Sequence, residues 1–417
     1  MPLHLFNAFG VELEYMLVDA ATLDIAPVAD RVIKARAGEI ASEIEAGHGI
    51  SWSNELVSHV IELKTTDPAA DLGRVAQQFA ASIDDINTIG ASLEGRAIRV
   101  MPGAMHPWID PSRETVLWPH EYGDVYANFH RLFNCHRHGW ANLQSVHLNL
   151  PFDGDEEFGR LHAAVRLVLP LLPALCAASP VMDSRLTGTA CNRLQVYRAN
   201  QAAVPSLSGR VIPEPVFTRA DYTRVIMEPI ARDVARLDPS GVMKPDWMNS
   251  RGAIARFDRG SIEIRVMDVQ ECPAADLAIV QGVIGVLRWL LDEQPCPLPQ
   301  QQQWPVEPLV SVLDATIDRA GRAVIDNADY LRTFGYAVAP RCSARDLWAH
   351  LFDQAAVPFR TDPALRPLNA ILNRGTLSER IAASLGVQPR MIPREELAPV
   401  YATLCDCLKH KRMFGEA

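Results

Sequence analysis

The chain has 417 residues, of which 48% are hydrophobic and 22% are charged, and its formal net charge is −10 at pH 7. These proportions are those of an ordinary folded protein and exclude a disordered or fibrous class. The acidic balance disfavours nucleic acid as a partner, because a phosphate backbone requires a basic surface. The length allows one large core or two to three domains of ordinary size.

The chain shows no sign of a targeting or membrane-spanning segment. Residues 1–9 lack the basic and apolar stretches of a signal peptide. Residues 161–178 and 277–291 are apolar but carry arginine together with proline or glutamine, so we expect buried helices there. The eight cysteines have no paired spacing, which is typical of a reducing compartment. We therefore expect a cytoplasmic protein with small-molecule partners, no nucleic acid and no membrane; a homodimer stays open.

The first elements alternate between extended and helical patterns. A strand is predicted at about 8–19, a further extended stretch at 53–66, and an amphipathic helix at about 69–94 that ends before Gly95. A short strand follows at 97–101.

Helical periodicity returns around 125–138, before an alternating strand at 144–150 and a buried helix at about 155–178. Residues 179–215 are rich in serine, proline, glycine, asparagine and arginine. A loop of that length predicts a functional lid or binding segment.

The last predicted strand, 261–269, alternates strictly between two faces. Ile262, Ile264 and Val266 share one face, and the other carries Ser261, Glu263, Arg265 and Met267. A helix at about 274–292 follows. The proline- and glutamine-rich stretch 293–308 is interpreted as the boundary of a helical C-terminal part. We predict a domain at 1–295, with residues 296–417 forming a helical region packed on it. The α+β pattern favours a mainly antiparallel sheet covered by helices on one side.

Common nucleotide and nucleophile motifs are missing from the chain. It contains no G-x-x-x-x-G-K-[ST], no G-x-G-x-x-G after a strand and no G-x-S-x-G elbow. P-loop, dinucleotide-binding and α/β-hydrolase functions are therefore unsupported.

Acids and one histidine occupy the polar faces of the predicted strands. On the first strand, the carboxylates Glu12 and Glu14 alternate with apolar residues, namely Val11, Leu13, Tyr15 and Leu17. On the other strands, the polar faces carry Glu62, His147 and Glu263. Such strands either expose one face to solvent or hold a cation on it. Because the acids and the histidine all lie on polar faces, the pattern favours a site for Mg²⁺ or Mn²⁺ that bridges to phosphate.

Two further residues bear on this site. Glu55 precedes Glu62 by seven positions, so it would share the acid face only through a bend or bulge. Arg265 follows Glu263 by two positions and is placed to neutralise a phosphoryl group.

Other polar clusters are less specific. Arg185, Arg193 and Arg198 lie in the long loop and either clamp a carboxylate or phosphate or stay exposed. His130, His136 and His138 resemble a zinc tract, but no second half with ligand spacing follows, which favours a solvated helix end.

Taken in order, the motifs between residues 8 and 290 resemble glutamate–cysteine ligase family 2, the carboxylate–amine ligases related to glutamine synthetase. The motifs that carry the resemblance are Gly10–Glu14 with Leu17–Asp19, Glu55 with Ile61–Thr65, Gly103–Pro107, Val146–Asn149, Ser179–Pro180 with Thr187–Gly188 and Arg193, and Gly260–Asp268.

The resemblance implies a curved antiparallel cradle that binds ATP through Mg²⁺. The implied metal ligands are Glu12, Glu14, Glu55, Glu62, His147 and Glu263. Arg265 would contact phosphate, Arg193 would stabilise an acyl phosphate, and Arg185 is a further candidate for nucleotide contact. The implied reaction activates a carboxylate, typically the γ-carboxyl of glutamate, for attack by an amine to give an amide, ADP and phosphate.

Two positions depart from the family pattern. Ser145 stands where the family often has histidine, and Cys191 stands where it commonly has serine. Both lie near the expected substrate side and leave the donor and acceptor open. The alternatives are a phosphotransferase of the guanidino-kinase type and a non-catalytic nucleotide- or metal-binding relative.

Overall fold

A single eight-stranded sheet forms the centre of the protein. The computed structural model describes residues 2–238 and 241–416. Over these residues the strands are β1 (Gly10–Asp19), β2 (Glu43–Gly47), β3 (Ile50–Asn54), β4 (Val60–Thr65), β5 (Ile98–Met101), β6 (Ser145–Pro151), β7 (Val181–Met182), β8 (Arg185–Leu186), β9 (Ala253–Arg256), β10 (Ser261–Asp268), β11 (Val324–Ile325), β12 (Cys342–Ser343) and β13 (Arg390–Met391).

The strand order of the main sheet is β2-β3-β4-β1-β6-β10-β9, and β5 pairs with the second half of β1. Each of these pairings is antiparallel. The predicted α+β class with a mainly antiparallel sheet is confirmed.

Helices surround the sheet and make up most of the C-terminal part. In chain order they are α1 (Ala29–Ala37), α2 (Leu72–Gly90), α3 (Pro111–Glu114), α4 (Gly123–Phe133), α5 (His138–Ala141), α6 (Gly154–Val168), α7 (Pro173–Cys176), α8 (Asn192–Tyr197), α9 (Pro205–Ser208), α10 (Arg219–Tyr222), α11 (Glu228–Leu237), α12 (Pro245–Met248), α13 (Pro273–Leu291), α14 (Leu298–Gln302), α15 (Val306–Arg319), α16 (Ala328–Thr333), α17 (Ala344–Gln354), α18 (Arg366–Arg374), α19 (Leu377–Leu385) and α20 (Arg394–His410).

The register of β1 follows from its alternating pattern. Val11, Leu13, Tyr15 and Leu17 are fully buried in the main core, together with side chains of α2, α6 and α13. Burial of each such side chain contributes about 1.5–3 kcal/mol. A slip of one residue would expose all four and turn the acids inward, so the pairing of β1 is strongly specified.

The predicted extended stretch 53–66 is two strands of a hairpin. β3 ends at Asn54 and β4 begins at Val60, and the pair Ser53↔Glu62 lies between them in register. Residues 55–59 therefore form the connection. This break supplies the bend that Glu55 requires in order to approach the acids.

The segment 179–215 differs from the predicted long loop. It contains β7, β8, α8 and α9, and β8 pairs with β13 from the C-terminal part. Short elements had no detectable periodicity in so polar a stretch, so sequence pattern alone missed them.

The face assignment predicted for Met267 is wrong because β10 has a bulge. Its pairing with β6 shifts between Ile264↔Leu148 and Met267↔Val146. The extra residue reverses the alternation beyond that point. Met267 is consequently buried in the main core, at 1% exposure, and Asp268 lies opposite Ser145.

Helices cover parts of both faces of the sheet, so the expectation of one covered side was incomplete. A second buried cluster joins Met16 and Val18 of β1 to residues of α19 and α20, such as Ile381, Leu397 and Tyr401. α15, α17 and α18 contribute instead to the main core. The division at residue 295 stays a prediction.

Helix α13 is long and apolar enough to cross a membrane by length and composition. However, 72% of that window is buried inside the protein. This burial agrees with the prediction of a core helix, because α13 packs against α2, α6 and α18.

A buried ion pair joins the end of the sheet region to α19. Arg380 Nη1 donates to Glu271 Oε1 at 2.6 Å and to the carbonyl oxygen of Phe414 at 2.8 Å. The side-chain exposures of Arg380 and Glu271 are 7% and 0%. Removing one member of a buried pair leaves an uncompensated charge, which is more costly than removing both.

We predict that Arg380→Met lowers the free energy of unfolding by about 3–5 kcal/mol in urea titration. Arg332→Met, which removes the exposed partner of Asp329, is the control and should cost less than about 1 kcal/mol. The double variant Glu271→Leu/Arg380→Met should recover part of the loss. Equal effects of Arg380→Met and Arg332→Met would contradict the prediction.

Candidate active site

Strand pairing brings the predicted acids onto one face of the sheet. Glu14 of β1 lies opposite Glu62 of β4, and Glu12 lies opposite His147 of β6. Glu263 of β10 lies opposite Asn149, the next residue of β6 on the same face. Directly opposed residues in antiparallel strands share a face and lie within side-chain reach.

His147 lies at the centre of this face. Its Nδ1 donates to Glu12 Oε2 at 2.7 Å and lies 3.9 Å from Glu263 Oε1. Its Nε2 lies 3.6 Å from Glu14 Oε1. Two groups of candidate ligand atoms result, each within 4.8 Å: Glu12, His147 and Glu263, and Glu14, Glu62 and His147. Because both contain His147, the two groups are contiguous.

The clustering perturbs the ionisation of the carboxyl groups. Burial and the charge of Glu12 raise the pKa of Glu62 to about 7. Burial opposes ionisation of Glu12 as well, but the hydrogen bond and positive charge of His147 outweigh it and lower the pKa to about 2. A divalent cation would relieve this repulsion, since carboxylate oxygens and imidazole are its ordinary ligands.

Glu55 lies at the edge of this acid face. It follows β3 directly and lines the same cavity as Glu14 and His147, although it belongs to neither three-residue group. Burial and the charges of Glu14 and Glu62 raise the pKa of its carboxyl well above the ordinary range. It is thus near the predicted ligands, and its role as a ligand stays a prediction.

Three cations border the acids. Arg265 Nε lies 3.2 Å from Glu263 Oε1, and Arg256 Nε donates to Glu263 Oε2 at 3.1 Å. Lys64 Nζ lies 3.8 Å from Glu62 Oε1. Burial of Glu263 favours its neutral form, but Arg265 and His147 outweigh this effect and lower its pKa. Arg256 was not identified from the sequence, since it lies on β9, which was not predicted.

Arg193 reaches the same region from α8. Its Nη2 donates to the carbonyl oxygen of Arg265 at 3.0 Å, and its Nη1 donates to Asp268 Oδ1 at 3.3 Å. Its side chain is 3% exposed, and among the described residues its Nε has no hydrogen-bond partner. The guanidinium is therefore fixed in place, and its Nε–H is free to donate to a ligand.

Asp268 is the residue that sequence reasoning missed. Besides Arg193 it accepts hydrogen bonds from Ala178 N at 2.8 Å, Ser179 Oγ at 3.0 Å and Cys191 Sγ at 3.4 Å. Strict alternation placed it on the core face, and the β10 bulge reverses that placement. The signal available in the sequence was an acidic residue at the C-terminal end of an alternating strand.

Arg185 does not accompany the other predicted residues. It is exposed on β8, paired with Met182 and Met391, and it does not line the cavity beside Glu14. Its predicted contact with nucleotide stays a prediction.

The two departures from the family pattern both make defined contacts. Ser145 donates to Glu14 Oε2 from its backbone N at 2.7 Å and from Oγ at 2.8 Å, and Oγ lies 3.0 Å from His147 Nε2. Cys191 is buried against Asp268. Both residues therefore support site residues through hydrogen bonds.

Two cavities adjoin opposite ends of the acid face. One, of about 220 Å³, is bordered by Glu14, His147, Arg193 and Arg265 and by five aromatic side chains; we call it the aromatic cavity. The aromatic residues are Tyr126, Phe129, Trp140, Tyr197 and Trp247. The other, of about 610 Å³, is the Gly10 cavity, bordered by Gly10, Glu12, Lys64, Asn149 and Arg259.

Comparison with known proteins identifies relatives of this chain. Residues 8–401 match the family described as Glutamate-cysteine ligase family 2. An uncharacterized protein of Archaeoglobus fulgidus is 32% identical over 286 residues, covering 69% of this chain and 75% of that protein. A protein of Cronobacter sakazakii, provisionally named glutamate–cysteine ligase 2, is 26% identical over 69% of each chain.

A solved structure also shares the fold. Glutamate–cysteine ligase of Francisella tularensis, crystallised in complex with AMP, is 14% identical with a TM-score of 0.53, over 98% of this chain and 90% of its own. Together with the match over residues 8–401, these findings show that the chain belongs to glutamate–cysteine ligase family 2 and is an ATP-dependent ligase that forms an amide bond.

Proposed function

We propose that the protein is a Mg²⁺-dependent carboxylate–amine ligase. A carboxylate oxygen of the donor, with the γ-carboxyl of glutamate as first choice, takes the terminal phosphoryl group of ATP and releases ADP. The amine then attacks the acyl phosphate, loses a proton and displaces phosphate to form the amide. The observation that carries this proposal is the group of acids around His147 between two cavities.

The donor set suits the proposed ions. Glu12 and Glu263 would contribute to one ion site and Glu14 and Glu62 to a second, with Glu55 adjacent. His147 belongs to both groups but would ligate only one ion, because a neutral imidazole has a single acceptor nitrogen. Hard oxygen ligands of this kind select Mg²⁺, and Mn²⁺ is an alternative. When bound, such ions would neutralise the negative charge of the phosphates. His147 would hold an ion only after losing the proton from its ligating nitrogen.

The cavities suggest where each substrate binds. We assign ATP to the Gly10 cavity, where Lys64 and Arg259 supply positive charge beside Glu12. We assign the carboxylate donor to the inner end of the aromatic cavity and the amine to the aromatic part of the same cavity. The inner end is bordered by Glu14, His147, Arg193 and Arg265. The transferred phosphoryl group would then cross the acid face between them.

The two arginines of the site would stabilise negative charge during transfer. Arg265, beside Glu263, is placed for a phosphate oxygen, and the free Nε of Arg193 is available for the acyl phosphate. Asp268 holds Arg193 in this orientation. Phosphoryl transfer depends on positioning and charge neutralisation, so a protein nucleophile is not required.

A coupled ADP-release assay with mass detection of products tests the function. Glutamate and a panel of other carboxylic acids are combined with a panel of amines, ATP and Mg²⁺. We expect ADP release that depends on the amine and an amide of matching mass. A stable phosphorylated substrate would instead indicate a phosphotransferase, and nucleotide binding without turnover would indicate a non-catalytic relative.

We predict that Glu14→Gln lowers kcat by about 10³-fold or more, because one carboxylate of the Glu14, Glu62 and His147 group loses its charge. The control is Glu45→Gln, an exposed acid on β2, which should leave kcat essentially unchanged. Circular dichroism should be the same for both variants. Near-normal turnover of Glu14→Gln at saturating Mg²⁺ would contradict the assignment.

The raised pKa of Glu62 predicts how stability of the metal-free protein depends on pH. Between its ordinary value of 4.5 and its folded value of about 7, the folded state keeps a proton that the unfolded chain has lost. Stability therefore falls as pH rises through this window. The raised pKa of His147 acts in the same direction.

Thermal unfolding in EDTA measures this effect. The buried histidines His59, His106 and His162 have lowered pKa values and act in the opposite direction, so the effect is measured as the difference between the wild type and Glu62→Gln. The wild-type midpoint should fall relative to that of Glu62→Gln between pH 4.5 and 7, and saturating Mg²⁺ should stabilise the wild type increasingly toward the upper end, where ligands are deprotonated. A wild-type midpoint that rises relative to Glu62→Gln across this window in EDTA would refute the proposed charge crowding.

A further inference from the structure

We infer that the amine acceptor is a primary amine with an aromatic or alkyl body and no carboxylate of its own. The inference rests on the proposed function and concerns the part of the aromatic cavity farther from the acid face. It names the class of acceptor, which the family name alone does not establish for this chain.

The wall of this cavity is built from aromatic rings on four separate helices. Tyr126 and Phe129 come from α4, Trp140 from α5, Tyr197 from α8 and Trp247 from α12. Phe129 and Trp140 pack edge to face with ring centroids 5.5 Å apart. Such surfaces favour an apolar body, and aromatic pairs add about 0.5–1.5 kcal/mol beyond burial.

Each of the two arginines that border this cavity already has a carboxylate partner, and both are assigned to phosphate in the proposed function. Arg193 Nη1 lies 3.3 Å from Asp268 Oδ1, and Arg265 Nε lies 3.2 Å from Glu263 Oε1. Among the described residues that border it, no lysine is present. Lys244 covers the Trp247 ring at 5.1 Å without bordering the cavity. A substrate carboxylate against the aromatic wall would lose its water without gaining a cation, which is unfavourable.

The same wall accommodates an amine and uncharged polar groups. The carboxylate of Glu14 at the inner end, together with the faces of the rings, attracts an ammonium group. Trp140 Nε1 and both amide atoms of Gln201 are buried, and among the described residues they have no hydrogen-bond partner. These neutral groups suit a hydroxyl on the acceptor, such as that of tyramine.

Matched amines that differ only in the carboxylate test the inference. Phenethylamine is compared with phenylalanine, and tyramine with tyrosine, using the donor that supports ADP release in the assay described above. We expect kcat/KM to be at least about tenfold higher for each amine that lacks the carboxylate, a difference of about 1.4 kcal/mol. Equal or higher values for both amino acids would overturn the inference.

A result in which no amine yields amide would instead refute the proposed ligase function, so the two failures are distinguishable. Isothermal titration of phenethylamine and phenylalanine into the protein with ADP and Mg²⁺ gives a readout independent of turnover. Tighter binding of phenethylamine is expected, and tighter binding of phenylalanine would again overturn the inference.

Two variants test the wall directly. Trp140→Leu should raise KM for phenethylamine about tenfold while KM for ATP stays unchanged. The control is Trp289→Leu, because Trp289 is a half-buried residue on α13 that borders a different cavity. An equal rise in both variants would contradict a direct contact.

Trp247→Arg adds a cation at an exposed position, since Trp247 is 43% exposed. It should narrow the preference for phenethylamine over phenylalanine by raising kcat/KM for phenylalanine. If the ratio of kcat/KM for phenethylamine to kcat/KM for phenylalanine stayed unchanged, the lack of a cation would not explain the preference for amines without a carboxylate.

Discussion

The constraint on which the rest of the structure depends is the crowding of four carboxylates around one imidazole. Antiparallel pairing of β4, β1, β6 and β10 leaves these groups no freedom to separate. Glu14 lies opposite Glu62, and Glu12 lies opposite His147. Glu263 lies opposite Asn149, the next residue of β6 on the same face. The apolar face of the same strands keeps the pairing in place. Hydrophobic burial thus holds together charges that would otherwise move apart.

The surrounding cations offset only part of this repulsion. Arg256 and Arg265 both approach Glu263, and Lys64 is shared between Glu43 and Glu62. Glu14 accepts a hydrogen bond from Ser145 and lies beside His147. Among the described residues, no arginine or lysine forms an ion pair with it. The uneven distribution leaves the greatest need for positive charge near Glu14 and Glu62, between the two cavities.

Much of this arrangement was predictable from periodicity. Alternation along four strands placed five polar residues on polar faces, and the structure brings their side chains together: Glu12, Glu14, Glu62, His147 and Glu263. What local pattern cannot convey is contact between distant segments. The aromatic wall combines α4, α5, α8 and α12, and Arg256 lies on a strand of four residues. Apart from α4, these elements have four to six residues and are too short to leave a periodic signal.

The bulge in β10 determines which residues at the end of this strand face the acids. Because the bulge absorbs one extra residue between Ile264 and Met267, Met267 lies opposite Val146 and Asp268 lies opposite Ser145. If the strand instead paired regularly with its present length, Met267 would lie opposite Ser145, and Asp268 would turn toward the core and release Arg193. Deletion of one residue within the bulge would remove the bulge and leave these downstream partners unchanged. The position of Asp268 beside Arg193 therefore depends on the bulge, and strict alternation along β10 would not produce it.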